Sequence, residues 1–404
     1  MEPVKIALYS HDSVGLGHVR RNLALAGALT NQLPALTGRP VTGLLITGTP
    51  VAPGFPTPPG WDWVLLPGVD KSPDGYRPRN LKMKMRDLIA LRACLLEGVL
   101  GAFRPDLIVV DRHATGIHGE LEAALRRARA SDGARIVLGL REVLDSPRSA
   151  LAEWTTLGGP GLVQELFDEI WVYGDPSIHD PVAAGEIPSV LRGLVQYTGY
   201  LSTGRPAGFG PHCMVGPYCM TTVGGGSDGF ALASLAASTP LPAGLAHLIV
   251  AGPQMPEDKL DGLRSLATEG TNVVSTVDDV VSHMRRASAV VSMGGYNSVC
   301  EIMSTNVPAL IVPRSHSRAE QLIRARSLAD AGYVDWRHIS ALTPASLRGW
   351  LDARLGTTVD RRRVRLDGLG RVPELAADHL RPLRRGTPLK LAARLEATTG
   401  RVAV

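Results

Sequence analysis

Residues 290 to 301 read Val-Val-Ser-Met-Gly-Gly-Tyr-Asn-Ser-Val-Cys-Glu, an apolar run that ends in a glycine pair and passes at once into a helix-like pattern. Gly294 and Gly295 let the backbone turn sharply and approach a ligand closely. Asn297 and Ser298 suit a helix N-terminus, where unpaired amides and the helix dipole together favour an anion such as a diphosphate. Glu301 falls one turn further on the same face, where a carboxylate accepts hydrogen bonds from ribose hydroxyls. The combination reads as a nucleotide-diphosphate site. An ordinary strand-to-helix turn with a capping asparagine would carry the same residues.

Three more loops have chemical character. The first follows an apolar run and reads Ser10-His11-Asp12-Ser13-Val14-Gly15-Leu16-Gly17-His18-Val19-Arg20-Arg21. A third glycine is missing at Arg20 and no well-placed acidic residue follows the second strand, so a nicotinamide site is not expected. His18 would stand at a helix N-terminus, where the positive end of the dipole keeps an imidazole neutral and fit to act as a general base. Asp111 closes the apolar run Leu107–Val110. If that strand neighbours the first, its carboxylate can orient His18. His113 is a competing base. The second loop, Thr221 to Gly229, holds Gly224, Gly225 and Gly226, whose amides could wrap an oxyanion or form a plain turn. The third, Val312 to Gln321, offers Arg314 and Arg318 to phosphate and Glu320 and Gln321 to sugar hydroxyls, or is a solvated helix start.

The elements that must hold these loops alternate between apolar strand runs and amphipathic helical stretches, an α/β pattern with parallel sheets. Strands are expected at Lys5–Tyr9, Thr42–Ile46, Trp63–Leu66, Leu107–Val110, Ile136–Leu140, Glu169–Val172, Met214–Thr222, Ala246–Val250, Asn272–Val274, Ala289–Ser292 and Ala309–Val312. Helices are expected at Val19–Leu29, Arg86–Leu100, Gly119–Ala130, Gly161–Leu166 and Val280–Arg286, the last preceded by the acidic pair Asp278-Asp279, which reads as a cap rather than a metal site. At 404 residues two domains are expected, residues 1–205 and 206–404, joined through the Gly/Pro-rich stretch Gly199–Pro211. A helical tail at Leu375–Arg385 is read as packing back across the junction.

Composition narrows the function. With 43 Lys and Arg against 38 Asp and Glu, the net charge is +5. That excess suits an anionic small molecule or an anionic membrane surface, and aromatics at 5% argue against a base-stacking nucleic-acid platform. The N-terminus enters a strand directly, and no apolar run is long enough to span a bilayer. Cys94, Cys213, Cys219 and Cys300 lack metal or redox spacing, so reduced thiols, no metal site and a cytoplasmic location are expected. The segment Lys71 to Arg92 carries Lys71, Arg77, Arg79, Lys82, Lys84, Arg86 and Arg92 among apolar residues. It fits a solvated helix with a long loop or a peripheral membrane contact.

Several segments together resemble the GT-B glycosyltransferases, and in particular a bacterial branch related to the peptidoglycan N-acetylglucosaminyltransferase. They are Gly15-Leu16-Gly17-His18-Val19-Arg20-Arg21, Val110-Asp111-Arg112 with Gly119-Glu120, Leu140 to Asp145, Val172 to Pro176, Gly294 to Ser298 with Glu301, and Glu320-Gln321. One departure is Ala114, where that branch would carry proline. The resemblance covers about residues 4 to 345 and implies two Rossmann-like doubly wound parallel-sheet domains facing across a cleft. It implies a nucleoside-diphosphate sugar, with UDP favoured, as donor substrate and no separate cofactor. Gly17, Gly225, Gly226, Gly294, Gly295, Asn297, Ser298 and Arg314 would line the diphosphate, with the base near Val277. Glu301 would face the ribose, and Glu320 and Gln321 the sugar. A small-molecule, glycan or lipid-linked acceptor would meet His18, supported by Asp111, for inverting transfer without a metal. The pattern Gly-x-Gly-His-x-x-Arg also fits nucleotide-sugar hydrolases, in which the histidine activates water. A non-catalytic sugar-nucleotide binding protein is the third reading.

Overall fold

The computed structural model describes residues 2–10, 16–72, 75–205, 214–226, 228–314 and 319–381. The middle of the first glycine loop, the second half of the Gly/Pro-rich stretch from residue 206 with Cys213, Ser227, residues 315–318 with Arg318, and the tail beyond 381 lie outside them.

The first strands are β1 (Val4–Tyr9), β2 (Val41–Thr47), β3 (Trp61–Leu65), β4 (Val69–Ser72) and β5 (Gly75–Pro78). They are followed by β6 (Leu107–Asp111), β7 (Arg135–Arg141), β8 (Glu169–Tyr173) and β9 (Val195–Tyr197). Apart from the antiparallel hairpin β4–β5, these form one parallel sheet in the order β3-β2-β1-β6-β7-β8-β9. The second series is β10 (Tyr218–Thr222), β11 (Ala246–Val250), β12 (Thr271–Val274), β13 (Ala289–Ser292), β14 (Ala309–Ile311) and β15 (Asp335–Trp336). It forms a second parallel sheet, β12-β11-β10-β13-β14-β15. In both sheets the order runs outward from the first strand in each direction, a reversal that opens a crevice at the strands' C-terminal ends. The two Rossmann-like units face each other across a cleft.

The helices that matter for the cleft are α1 (Gly17–Thr37), α2 (Met85–Phe103), α3 (Glu122–Asp132), α4 (Pro147–Thr156) and α5 (Gly159–Leu166) on the first sheet. On the second are α6 (Phe230–Ala237), α7 (Glu257–Leu266), α8 (Val280–Arg286), α9 (Tyr296–Met303), α10 (Glu320–Asp330) and α11 (Pro344–Arg354). Helix α1 runs well beyond Leu29, through Pro34, and stops at Gly38 in the left-handed conformation, whose N–H returns to the Pro34 carbonyl. Asp279 caps α8 by accepting from Ser282 N.

Helix α12 (Gly368–Leu380) buries Leu369, Val372, Leu375 and Ala376, an apolar stripe at helical spacing, and packs against α1 rather than the second sheet. Gly368 is required there, because a Cβ would stand 2.5 Å from the Gly199 carbonyl oxygen. Just before the helix, Tyr200 N donates to Arg365 O and Leu201 pairs with Asp367 in an antiparallel bridge. One apolar core thus runs from Leu8, Leu25 and Leu29 through Tyr200 and Val372 to Met220 and Val290.

The strand runs named above all appear, with Met214–Thr222 shortened to Tyr218–Thr222 after Pro217. The β4–β5 hairpin lies in the basic segment, where a helix and loop were expected. Arg92 is not a surface charge. It is fully buried and forks onto Glu120 at 2.5 and 2.7 Å.

Candidate functional site

Strand β6 pairs with β1, so Asp111, its last residue, comes beside the first turn of α1. Asp111 Oδ2 lies 2.9 Å from His18 Nδ1. A proton on Nδ1 faces the carboxylate, and that tautomer leaves Nε2 as the basic atom of the ring; the same Nδ1 lies 2.9 Å from the Arg21 Nη2 donor. Burial lowers the His18 pKa below its ordinary value; the Asp111 charge and hydrogen bond pull it back up, and the Arg21 and Arg141 charges lower it further. The imidazole is thus neutral near pH 7. Burial by itself would raise the Asp111 pKa, but Arg21 and His18 hold it far below the usual carboxylate range. Arg112, next in sequence, takes a left-handed φ of 67°, and its guanidinium runs to Glu153 at 2.6 Å. His113 also faces Glu153, at 3.4 Å.

On the second sheet, β13 ends at Ser292 and the chain turns through Gly294 into α9. Gly294 has φ +78°, and a Cβ would stand 2.5 Å from Ile311 Cγ2, so both conformation and space demand glycine. Gly295 is the N-cap and offers no side chain, so the first amides of α9 have no capping oxygen. Asn297 stands at the helix start as expected, but not as the cap that an ordinary turn would make of it. Asn297 lies inside the first turn and its Nδ2 donates across the cleft to the Gly17 carbonyl at 3.0 Å, while its Oδ1 accepts from Arg205 at 3.1 Å. Ser298 is nearly buried beside it.

Carboxylates of the second domain meet arginines of the first. Arg20 Nη2 donates to Glu301 Oε1 at 2.6 Å, with Arg205 Nη1 3.7 Å from the same oxygen. Arg141, the last residue of β7, reaches Glu320 Oε2 at 2.5 Å. In the opposite sense Arg324 of α10 forks onto Glu142 at 2.6 and 3.2 Å, with both side chains almost wholly buried. The Asp145 carboxylate accepts from Ala319 N at 3.1 Å. Burial opposes ionisation of Glu320, yet Arg141, Arg324, Arg112 and Arg314 hold its pKa far below the usual range. Burial also brings Arg141 down to about 10, with Arg112, Arg324 and Arg21 adding to the effect of burial.

The remaining residues lie on the same C-terminal edge of the second sheet. Arg314 Nη2 donates to Glu320 at 3.1 Å, and its amide N donates to Gln321 Oε1 at 3.0 Å. Gly225 and Gly226 pack on the turn after β11. A Cβ on Gly226 would stand 2.4 Å from Ala251 O, which gives that glycine a packing reason independent of any ligand. Val277 is half-buried between β12 and α8. Among the described residues no group of three or more His, Cys, Asp or Glu is placed to hold a metal ion. Sequence reasoning missed the cross-cleft partners Arg20, Arg21, Arg141, Glu142, Arg205 and Arg324. The adjacent pairs Arg20-Arg21 and Arg141-Glu142 were the available signal.

Residues 220–353 match the glycosyltransferase family 28 C-terminal domain. Over 86 residues the chain is 30% identical to the UDP-N-acetylglucosamine–N-acetylmuramyl-(pentapeptide) pyrophosphoryl-undecaprenol N-acetylglucosamine transferase of Leuconostoc mesenteroides. That alignment covers 21% of this chain and 24% of the relative. The chain therefore spans about a quarter of the length of the curated relatives it matches first. Among solved structures, the glycotransferase of kitacinnamycin superposes with a TM-score of 0.59 at 17% identity, covering 94% of this chain and 98% of that one. MurG of Acinetobacter baumannii superposes at 0.54 and 14% identity, covering 97% and 98%. At such identities the structural likeness shows the fold alone. The chain has the GT-B fold. Through its C-terminal domain it is related to the peptidoglycan N-acetylglucosaminyltransferases.

Proposed function

We propose that this protein is a cytoplasmic, inverting, metal-independent glycosyltransferase that moves a sugar from a nucleoside-diphosphate donor, with UDP favoured, to a hydroxyl or amine acceptor. The observation that carries the reading is the direct meeting of two helix starts. Asn297 at the start of α9 bonds to Gly17 at the start of α1, so an anion-binding helix and a neutral histidine border one space. In this reading residues 1–205 hold the acceptor and residues 206–404 the donor. The α9 amides, the backbone at Gly17, Gly225, Gly226, Gly294 and Gly295, and Asn297, Ser298 and Arg314 surround the diphosphate. Glu301 binds the ribose, the loop at Val277 the base, and Glu320 with Gln321 the sugar.

His18 Nε2 takes the acceptor proton as the acceptor oxygen or nitrogen attacks the anomeric carbon. Asp111 stabilises the imidazolium that results. The bond to the diphosphate oxygen breaks on the opposite face, and the α9 amides stabilise the negative charge that develops there, so the helix supplies what a metal would otherwise supply. A nucleotide-sugar hydrolase would use the same groups with water as acceptor, and a silent binding protein would use only the donor half. Exposed Leu81, Met83, Leu91 and Leu95 next to Lys82, Lys84 and Arg86 would suit presentation of a lipid-linked acceptor at an anionic bilayer. Among the described residues no helix is long and apolar enough to cross a membrane.

The test is calorimetric titration with a panel of nucleoside-diphosphate sugars, followed by assay of nucleoside diphosphate release with and without acceptor. Binding of one donor with acceptor-dependent release supports transfer. Release into water alone supports hydrolysis, and binding without release the silent reading.

A further inference from the structure

The His18–Asp111 pair has a third member whose other contact leaves its own domain. Arg21 lies one turn beyond His18 on α1 and is 2% exposed. Its Nη2 donates to Asp111 Oδ1 at 2.6 Å and Oδ2 at 2.5 Å, and stands 2.9 Å from His18 Nδ1. The imidazole therefore faces a carboxylate whose charge is already compensated. The same guanidinium lies 5.7 Å from the ring centre of Tyr296, the first residue of α9 in the other domain. Arg324 is 5.7 Å from that ring as well and donates to the Gly294 carbonyl at 3.2 Å. Tyr296 stacks on Tyr200 in the segment between the domains, and its hydroxyl accepts from Leu201 N. Tyr296 is thus wedged between two arginines and fixed at its tip.

We propose that Arg21 is a positioning residue that ties the proton-accepting histidine to the donor helix, clamping Asp111 beside His18 while the ring of Tyr296 holds the guanidinium in place. This rests on the reading of His18 as the base. Among the described residues Asp111 of β6, Arg21 of its own helix and Arg141 of β7 act on His18, and Asp111, Tyr173 of β8 and Tyr296 of α9 act on Arg21. A tie of this kind makes the base's alignment and basicity depend on the donor domain being in place. Acceptor deprotonation is then linked to domain closure.

The experiment is NMR titration of the His18 imidazole in the full chain, assigned with His18→Gln, together with the pH profile of kcat/KM. Arg21→Met removes a positive neighbour and uncovers the Asp111 charge, and both raise the His18 pKa. The midpoint should rise by about one pH unit, a tenfold loss of neutral base on the acid side, and the acid limb of the profile should move up with it. Arg21→Lys should restore part of the shift. Tyr296→Phe keeps the ring face and should leave the midpoint unchanged, while Tyr296→Leu should move it part of the way towards Arg21→Met. If Arg21→Met does not fold, Tyr296→Leu, which leaves the ion pair in place, decides the matter. An unmoved His18 midpoint in Tyr296→Leu removes the tie between domains, and an unmoved midpoint in Arg21→Met makes Arg21 a structural ion pair only. Full activity in His18→Ala would instead overturn the base reading, and the titration would still report on Arg21.

Discussion

Two strand–glycine–helix turns face each other in this molecule, one opening α1 after β1 and one opening α9 after β13. In neither does a side chain cap the helix start. Their side chains differ in sign. The first turn of α1 carries His18, Arg20 and Arg21, whereas α9 carries Asn297, Ser298 and, one turn on, Glu301. The dipole at α1 disfavours imidazolium and so leaves a base, while the uncharged start of α9 leaves room for an anion. The same local architecture thus serves proton removal on one side and charge stabilisation on the other. The opposite charges, Arg20 against Glu301, hold the two turns in register.

The comparison can be broken on one side at a time. On the α1 side, His18→Ala should lower kcat by about 10²–10⁴-fold while calorimetry finds donor affinity unchanged. Equal losses in both would return His18 to a structural role. Breaking the joint itself through Glu142→Ala leaves Arg324 buried without its partner, and denaturant unfolding should show a loss of about 3–5 kcal/mol. Breaking the α9 side with Glu301→Ala should weaken donor binding by about 10- to 100-fold, the worth of a hydrogen bond to a charged group. A donor affinity equal to that of the parent protein would remove the ribose role.

The two glycine turns can also be compared directly. Gly294→Ala forces a side chain into φ +78° and against Ile311, and should cost about 1–2 kcal/mol or more in thermal unfolding. Among the described residues a Cβ at Gly17 meets Asn297 Nδ2 at 3.8 Å, so Gly17→Ala should be near neutral. The smallest expected effect is on pH. Because burial holds the His18 pKa below 6.5, kcat/KM should stay level down to that pH and fall only as the pH drops through the lower folded value. An acid limb above 6.5 would contradict a buried, neutral imidazole.

Most of the scaffold was legible because parallel, doubly covered strands are near-continuous apolar runs, and Leu107–Val110 or Ala289–Ser292 can hardly be anything else. The hairpin Val69–Ser72 with Gly75–Pro78 was not legible, since proline, lysine and aspartate mask a two-stranded ribbon whose buried residues, Val69 and partly Tyr76, are too few to show a period. Arg92 among other basic residues read as surface, because nothing local marks the one whose partner, Glu120, lies 28 positions away. The cross-cleft role of Asn297 was hidden for a related reason. Propensity favours asparagine at helix starts, but here Gly295 occupies the cap and a carbonyl 280 residues away takes the amide.

What the sequence determined by itself was therefore local: two sets of apolar strands, the glycines that end them, and the kinds of side chain that follow each turn. These depend on periodicity and on backbone freedom, both of which act within a few residues. Only the tertiary structure decided that Asp111 meets His18, that Arg20 and Arg141 cross to Glu301 and Glu320, and that Tyr296 sits between Arg21 and Arg324. A buried charge must find a partner wherever the fold brings one, and that partner is set by strand order and domain packing rather than by neighbours in the chain.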